Sequence, residues 1–157
     1  QATWRVPGGF RIFTNTAATV GVQVNAGGSS WNVISDRNRK ENFLAIDPSD
    51  VLSRIRSLPV TTWQYRDEQD RTVRHIGPMA QDWHAAFGFS QDATTINMSD
   101  FDGVNLAAIQ ALDRRAEGQE QRIQALETEN SELRARNEQL EARLRRLEAL
   151  LPASVTP

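Results

Sequence analysis

Cysteine is absent from the 157 residues. That excludes a disulfide framework and any thiolate metal site, and it leaves the redox compartment open. No apolar run is long enough to cross a bilayer, so the sequence reads as a soluble chain with no membrane partner. Charge of one sign is also lacking: 18 basic side chains face 20 acidic ones, a net charge of −2 at pH 7. Most arginines alternate with glutamates in the C-terminal third, as on a solvated helix, so no nucleic-acid partner is expected. The two histidines, His75 and His84, have no carboxylate motif around them and read as ordinary strand and helix positions rather than metal ligands. Gly8-Gly9 and Gly27-Gly28 open no helix at the spacing of a phosphate cradle and read as turns. The four tryptophans show no repeat that suggests a base-stacking platform, and no cofactor is expected. Gln1 is not a methionine and no leader-like segment follows it, so the chain is taken as a piece of something longer.

What is present begins with a seam. Ile109, Leu112, Ala116, Gln119, Ile123, Leu126, Asn130, Leu133, Asn137, Leu140, Leu144, Leu147 and Leu151 alternate three and four apart, the pattern of a coiled coil about 60 Å long at about 1.5 Å per residue. With Ile109 at a, the g and following e positions are Arg115/Glu120, Arg122/Glu127, Glu129/Arg134, Arg136/Glu141 and Arg143/Glu148, all of opposite sign. A parallel coil sets g beside the next e of its neighbour. An antiparallel one centred on Glu129 would oppose Arg115 to Arg143, Arg122 to Arg136 and Glu129 to itself. Each exposed attraction is worth a few tenths of a kcal/mol, and five of them against a repulsive set favour a parallel, in-register bundle. Asn130 and Asn137, at successive a layers, lean towards two strands and fix register; periodicity alone selects neither two chains nor three.

The preceding residues predict a small α+β unit. Phe10 to Phe13 and Val20 to Val24 have strand character and the turn chemistry of Asn25 to Ser30 follows them; these short strands look like the end of a β structure that continues upstream. Asp47-Pro48 starts a helix with Val51, Leu52, Ile55 and Leu58 at helical spacing, and Pro59 ends it. Val60 to Tyr65 and Val73 to Ile76 read as a hairpin, Pro78 to Phe87 as a short helix stopped by Gly88, and one helix from near Gly103 runs into the coil. Trp63 and Trp83 are expected core anchors. The resulting division is 1–34 for the end of a β-rich stalk, 35–107 for the α+β core, 108–151 for the coil and 152–157 for a tail.

At the first of these junctions stands Ser35-Asp36-Arg37-Asn38-Arg39-Lys40-Glu41-Asn42. A serine hydroxyl becomes a nucleophile when a neutral amine takes its proton. A lysine serves only where burial or nearby cations lower its pKa from about 10.4, pressure that Arg37 and Arg39 could add. Positions five apart point about 140° away from each other on a regular α-helix, so a working pair needs a looped backbone or a lysine from a neighbouring chain. Taken alone, Ser-Asp before a charged stretch is more often a cap or turn.

The motif Ser35-Asp36-Arg37-x-x-Lys40-Glu41-Asn42 resembles the opening of the C-terminal intramolecular chaperone domains of phage tailspikes and tail fibres, the endosialidase type. The likeness continues through Leu58-Pro-Val60-x-x-Trp63-x-Tyr65, through Arg74-His75-Ile76-Gly77-Pro-Met-Ala80-Gln81-Asp82, and into the long helix at Asp102-Gly-Val104. Pro78, in place of the family's common apolar residue, and Asp82, in place of a frequent glutamate, depart from the pattern. The resemblance implies a homotrimer that helps an upstream β-stalk of the same polypeptide to register and fold, then cuts itself free. Ser35 would be the catalytic nucleophile, Lys40 its base, and Ile34-Ser35 the scissile bond of a single-turnover serine peptidase. It also implies a tail-fibre or tailspike precursor made in the bacterial cytoplasm, or a bacterial surface protein. The alternative is a non-enzymatic trimerisation and attachment module in which both residues are inert.

Overall fold

A computed structural model describes residues 2–89 and 91–150; Leu151 of the seam and the 152–157 tail lie outside the described residues. The chain is α+β, with short strands first, two small helices and one long helix last.

Strands β1 (Phe10–Phe13), β2 (Gly21–Val24) and β3 (Asn32–Val33) form an antiparallel sheet in that order. Register is set by Phe10 opposite Val24 and by Val22 opposite Val33. Gly21 makes this close approach possible, because a Cβ there would collide with the Ile12 carbonyl oxygen. The loop from β1 to β2 is held by Asn15, whose Oδ1 accepts from the backbone N–H of Thr19 (3.0 Å) and of Val20 (3.1 Å). Strand β3 is the element the sequence pattern did not mark, since two residues are too few for an alternation.

Helix α1 (Pro48–Ser57) starts where Asp47 Oδ1 accepts from the Ser49 N–H at 2.8 Å, with proline in the first turn. Strands β4 (Thr61–Trp63) and β5 (His75–Gly77) pair antiparallel, Thr62 opposite Ile76. The hairpin is shorter than the sequence suggests because Gln64 leaves the ladder, its Nε2 donating instead to the Val73 carbonyl at 2.7 Å. Helix α2 (Ala80–Phe87) ends at Gly88 in the left-handed region, φ 67°. Helix α3 runs unbroken from Met98 to Leu150, about 80 Å. It begins five residues before the expected Gly103 because Asn97 caps it, its Oδ1 accepting from the Ser99 N–H at 2.9 Å.

The core lies where α1, α2 and the first turns of α3 meet. Trp83, 1 % exposed, packs with Val51, Val104, Ala107 and Ala108, and its ring lies 4.6 Å from Phe87 and 5.2 Å from Phe101. Trp63 belongs instead to the hairpin, half-buried, with its ring 4.9 Å from Tyr65 and 4.6 Å from His75. The small residues of α3 face this core, while Leu106, Ile109 and Leu112 point away and continue as the bare seam of Ile123, Leu126, Leu133, Leu140, Leu144 and Leu147. Leu133, at mid-seam, is 51 % exposed in the single chain.

Between α2 and α3, Asp92 gathers the N–H and hydroxyl of Thr94 and the hydroxyl of Thr95. The Thr94 hydroxyl bond, foremost, then the Thr94 backbone bond and the Thr95 hydroxyl lower its carboxyl from the ordinary 3.8 to about 2. A carboxyl with a depressed native pKa stabilises above its unfolded value and loses that stabilisation as the proton returns. The loop is therefore expected to hold its amide shifts above pH 4 and to lose them as pH falls from 3.8 towards 2, read by an NMR titration of Thr94.

Candidate functional site

Ser35 follows directly on the sheet. The N–H of Ile34 donates to the Gly21 carbonyl at 3.1 Å, which pins the residue before Ser35 to the first residue of β2. Asp36, extended at φ −70° and ψ 126°, then caps a 3₁₀ turn over Arg37–Arg39, its Oδ1 accepting from the Asn38 N–H at 2.9 Å. The turn closes through Arg39 N–H to the Asp36 carbonyl (3.1 Å) and Lys40 N–H to the Arg37 carbonyl (3.2 Å), and Lys40 leaves it extended.

One tight turn between two extended residues overcomes the difficulty of five-residue spacing. Lys40 Nζ donates to Ser35 Oγ at 2.6 Å within one chain. No lysine from a neighbour is needed for the contact. The direction of the bond matters: an ammonium donates to the hydroxyl, whereas a lysine base must be neutral and accept from it. Both residues are solvent-exposed in the single chain.

The two arginines of the motif are engaged around this pair. The Arg37 guanidinium lies over the Phe43 ring, 5.4 Å from its centroid. Arg39 Nε lies 3.5 Å from Asp36 Oδ2, and its Nη1 donates to the Thr19 carbonyl at 3.3 Å. An open cleft of about 350 Å³ runs beside the pair, lined by Arg11, Phe13, Gln23, Ile34, Ser35 and Arg39 among others. Its walls come from β1 and β2 as well as from the turn, so the residues on either side of the Ile34-Ser35 bond share one surface. Thr19 and Gly21 were not singled out from sequence; the turn chemistry of Asn15 was the available signal, but nothing in spacing told which later residue would reach that loop.

His75 Nε2 lies 3.2 Å from Glu68 Oε1 inside the Trp63–Tyr65 aromatic group of the hairpin. His84 lies on α2. The described residues hold no cluster of His, Asp and Glu placed to bind a metal ion.

No curated protein matches the chain. Residues 35–90 match the family model Peptidase_S74, chaperone of endosialidase. The match opens on Ser35, takes in the 3₁₀ turn, α1, the hairpin and α2, and stops short of α3. Over those residues the chain is similar to the endosialidase-type chaperone domains, and that family's name joins a chaperone role to a peptidase.

Proposed function

We propose that the chain is a homotrimeric intramolecular chaperone, with residues 35–107 as its processing core and 108–151 as a parallel coiled coil. It gathers three copies of an upstream β-stalk, of which residues 1–34 are the last part, and then cuts itself off between Ile34 and Ser35. The observation that carries this reading is the 2.6 Å contact between Lys40 Nζ and Ser35 Oγ at the first residue of the matched family span. The uncovered leucine seam of α3 supports the assembly, because a row of side chains such as Leu133 and Leu144, more than half exposed among the described residues of one chain, is buried when copies pack along it.

The chemistry follows from the contact. Neutral Lys40 takes the Ser35 Oγ proton as Oγ attacks the Ile34 carbonyl carbon. Collapse of the tetrahedral centre breaks the C–N bond, and the proton passes from Nζ to the departing Ser35 nitrogen. Ile34 is left esterified to Oγ. One water then attacks the ester, giving a proton to Lys40, which returns it to Oγ. The products are an Ile34 carboxylate and a free Ser35 amine, with one water consumed.

A lysine amine becomes available as a base once it is taken out of water. In this reading the pair is assembled within each chain, and the covering of the exposed site by neighbouring copies times the cut. Templating has its own physical need. Long-range β pairing is slow and open to register slips, and a coil that admits one alignment raises the strands' effective concentration. Removal of the template after folding makes reversal kinetically slow.

The exposure of Ser35 and Lys40 is the observation that favours the alternative, an inert trimerisation and attachment module. N-terminal sequencing and intact mass of the incubated chain decide between them. Self-cleavage gives two pieces, 1–34 and 35–157, with a new Ser35 terminus, and none from Ser35→Ala; a wild-type chain that stays whole as a stable trimer leaves the module.

A further inference from the structure

We propose that Arg39 is a positioning residue that makes the cut depend on the folding of the β1–β2 loop, an inference that rests on the self-cleavage reading above. One guanidinium touches both sides of the junction: its Nη1 donates to the Thr19 carbonyl at 3.3 Å and its Nε lies 3.5 Å from the Asp36 carboxylate. Asp36 is the cap of the turn that delivers Lys40 to Ser35. Twenty residues separate Arg39 from Thr19, so the contact forms only after the strands ahead of the cut have folded.

The Thr19 carbonyl is held in place by the client segment. Asn15 accepts from the Thr19 and Val20 N–H groups at 3.0 and 3.1 Å, and its Nδ2 donates to the Thr19 hydroxyl at 2.7 Å. The Thr14 N–H donates to the Val20 carbonyl at 2.9 Å, which continues the β1–β2 ladder into the loop. Without this loop Arg39 has one partner fewer, the Asp36 cap loses its brace, and the Ser35–Lys40 geometry is one alternative among several for an exposed turn. A displacement of about 1 Å in a reacting group can cost about a hundredfold in rate, and an exposed charged hydrogen bond contributes enough to select a turn conformation about tenfold. Arg39 and Ser35 also line the same cleft with Gln23 and Ile34, so the reading of the client takes place at the bond to be cut.

The test is the rate of self-cleavage of the whole chain, followed by intact mass, in a double-mutant cycle. Arg39→Ala and Asn15→Ala are each expected to slow the cut about tenfold, and the double variant to be no slower than the slower single, because both remove the same contact. Arg39→Lys keeps a charged donor for the Thr19 carbonyl and is expected to recover to within about threefold of wild type. A merely structural role for Asn15 would give multiplied losses, about a hundredfold in the double variant, and would overturn the inference. Cutting at the wild-type rate in either single variant would overturn it equally. An uncut wild-type chain would instead remove the self-cleavage reading itself, and this inference with it, so the two failures are distinguishable.

Discussion

Lys40→Arg is expected to leave the chain as uncut as Lys40→Ala does, although it keeps the positive charge. Arginine has the reach to donate to Ser35 Oγ, as Lys40 does at 2.6 Å, but its guanidinium does not give up a proton in a protein and cannot accept one. If Lys40 served only to hold the turn or to place a cation beside the hydroxyl, arginine would retain most of the activity. Loss of a positioned general base costs about 10² to 10⁴ in rate. A cut completed within minutes would then take from hours to weeks. Ser35→Ala removes the nucleophile and is expected to give no product at any time. Intact mass at successive times reads all three variants; substantial cutting by Lys40→Arg would assign the lysine an electrostatic role.

Trp83→Ala carries the largest expected effect on stability. The ring is 1 % exposed at the meeting point of three helices, packed on Phe87, Phe101 and the small face of α3. Truncating a buried tryptophan costs about 3–5 kcal/mol, comparable with the whole stability of a core of this size. The melting transition of the α+β core is expected to fall by tens of degrees, since each kcal/mol is worth about 4–8 °C in a small domain. Far-ultraviolet circular dichroism should still report the long helix, most of which lies beyond the reach of Trp83. Trp63, half-buried in the hairpin, offers the contrast: its truncation is expected to lower the same transition by less than half as much. Equal losses at both sites would contradict the placing of the core between the helices.

Some of this architecture was legible beforehand and some was not, for identifiable reasons. Helix α1 was marked at both ends, by Asp47-Pro48 and by Pro59, and α2 by Gly88, because caps and breakers act locally. The seam of α3 was readable because one period persists over many turns, whereas its start was misplaced: Asn97 caps a stretch whose apolar spacing is irregular. Trp63 and Trp83 carry the same prior for burial, and only packing separates the hairpin ring from the core ring. At the candidate site, the residue types of a Ser-Lys pair were visible. Their meeting was not, because it turns on a single 3₁₀ turn between extended residues. The contacts of that turn with Thr19 and Gly21 are long-range and leave no local mark.

Templating and timed cutting both need copies of the chain lying side by side in one direction, so that the stalk ends and the cutting sites are gathered together. The chain has no cysteine of its own, so Ala149→Cys, at the outward f position near the end of α3, accepts one spin label per copy in the uncut Ser35→Ala background. Parallel, in-register helices about 10 Å apart place the labels within about 35 Å of one another. An antiparallel pairing centred on Glu129 would set them about 60 Å apart along the axis. Short dipolar distances are the expected result; a distribution near 60 Å, or no dipolar coupling at all, would contradict the account.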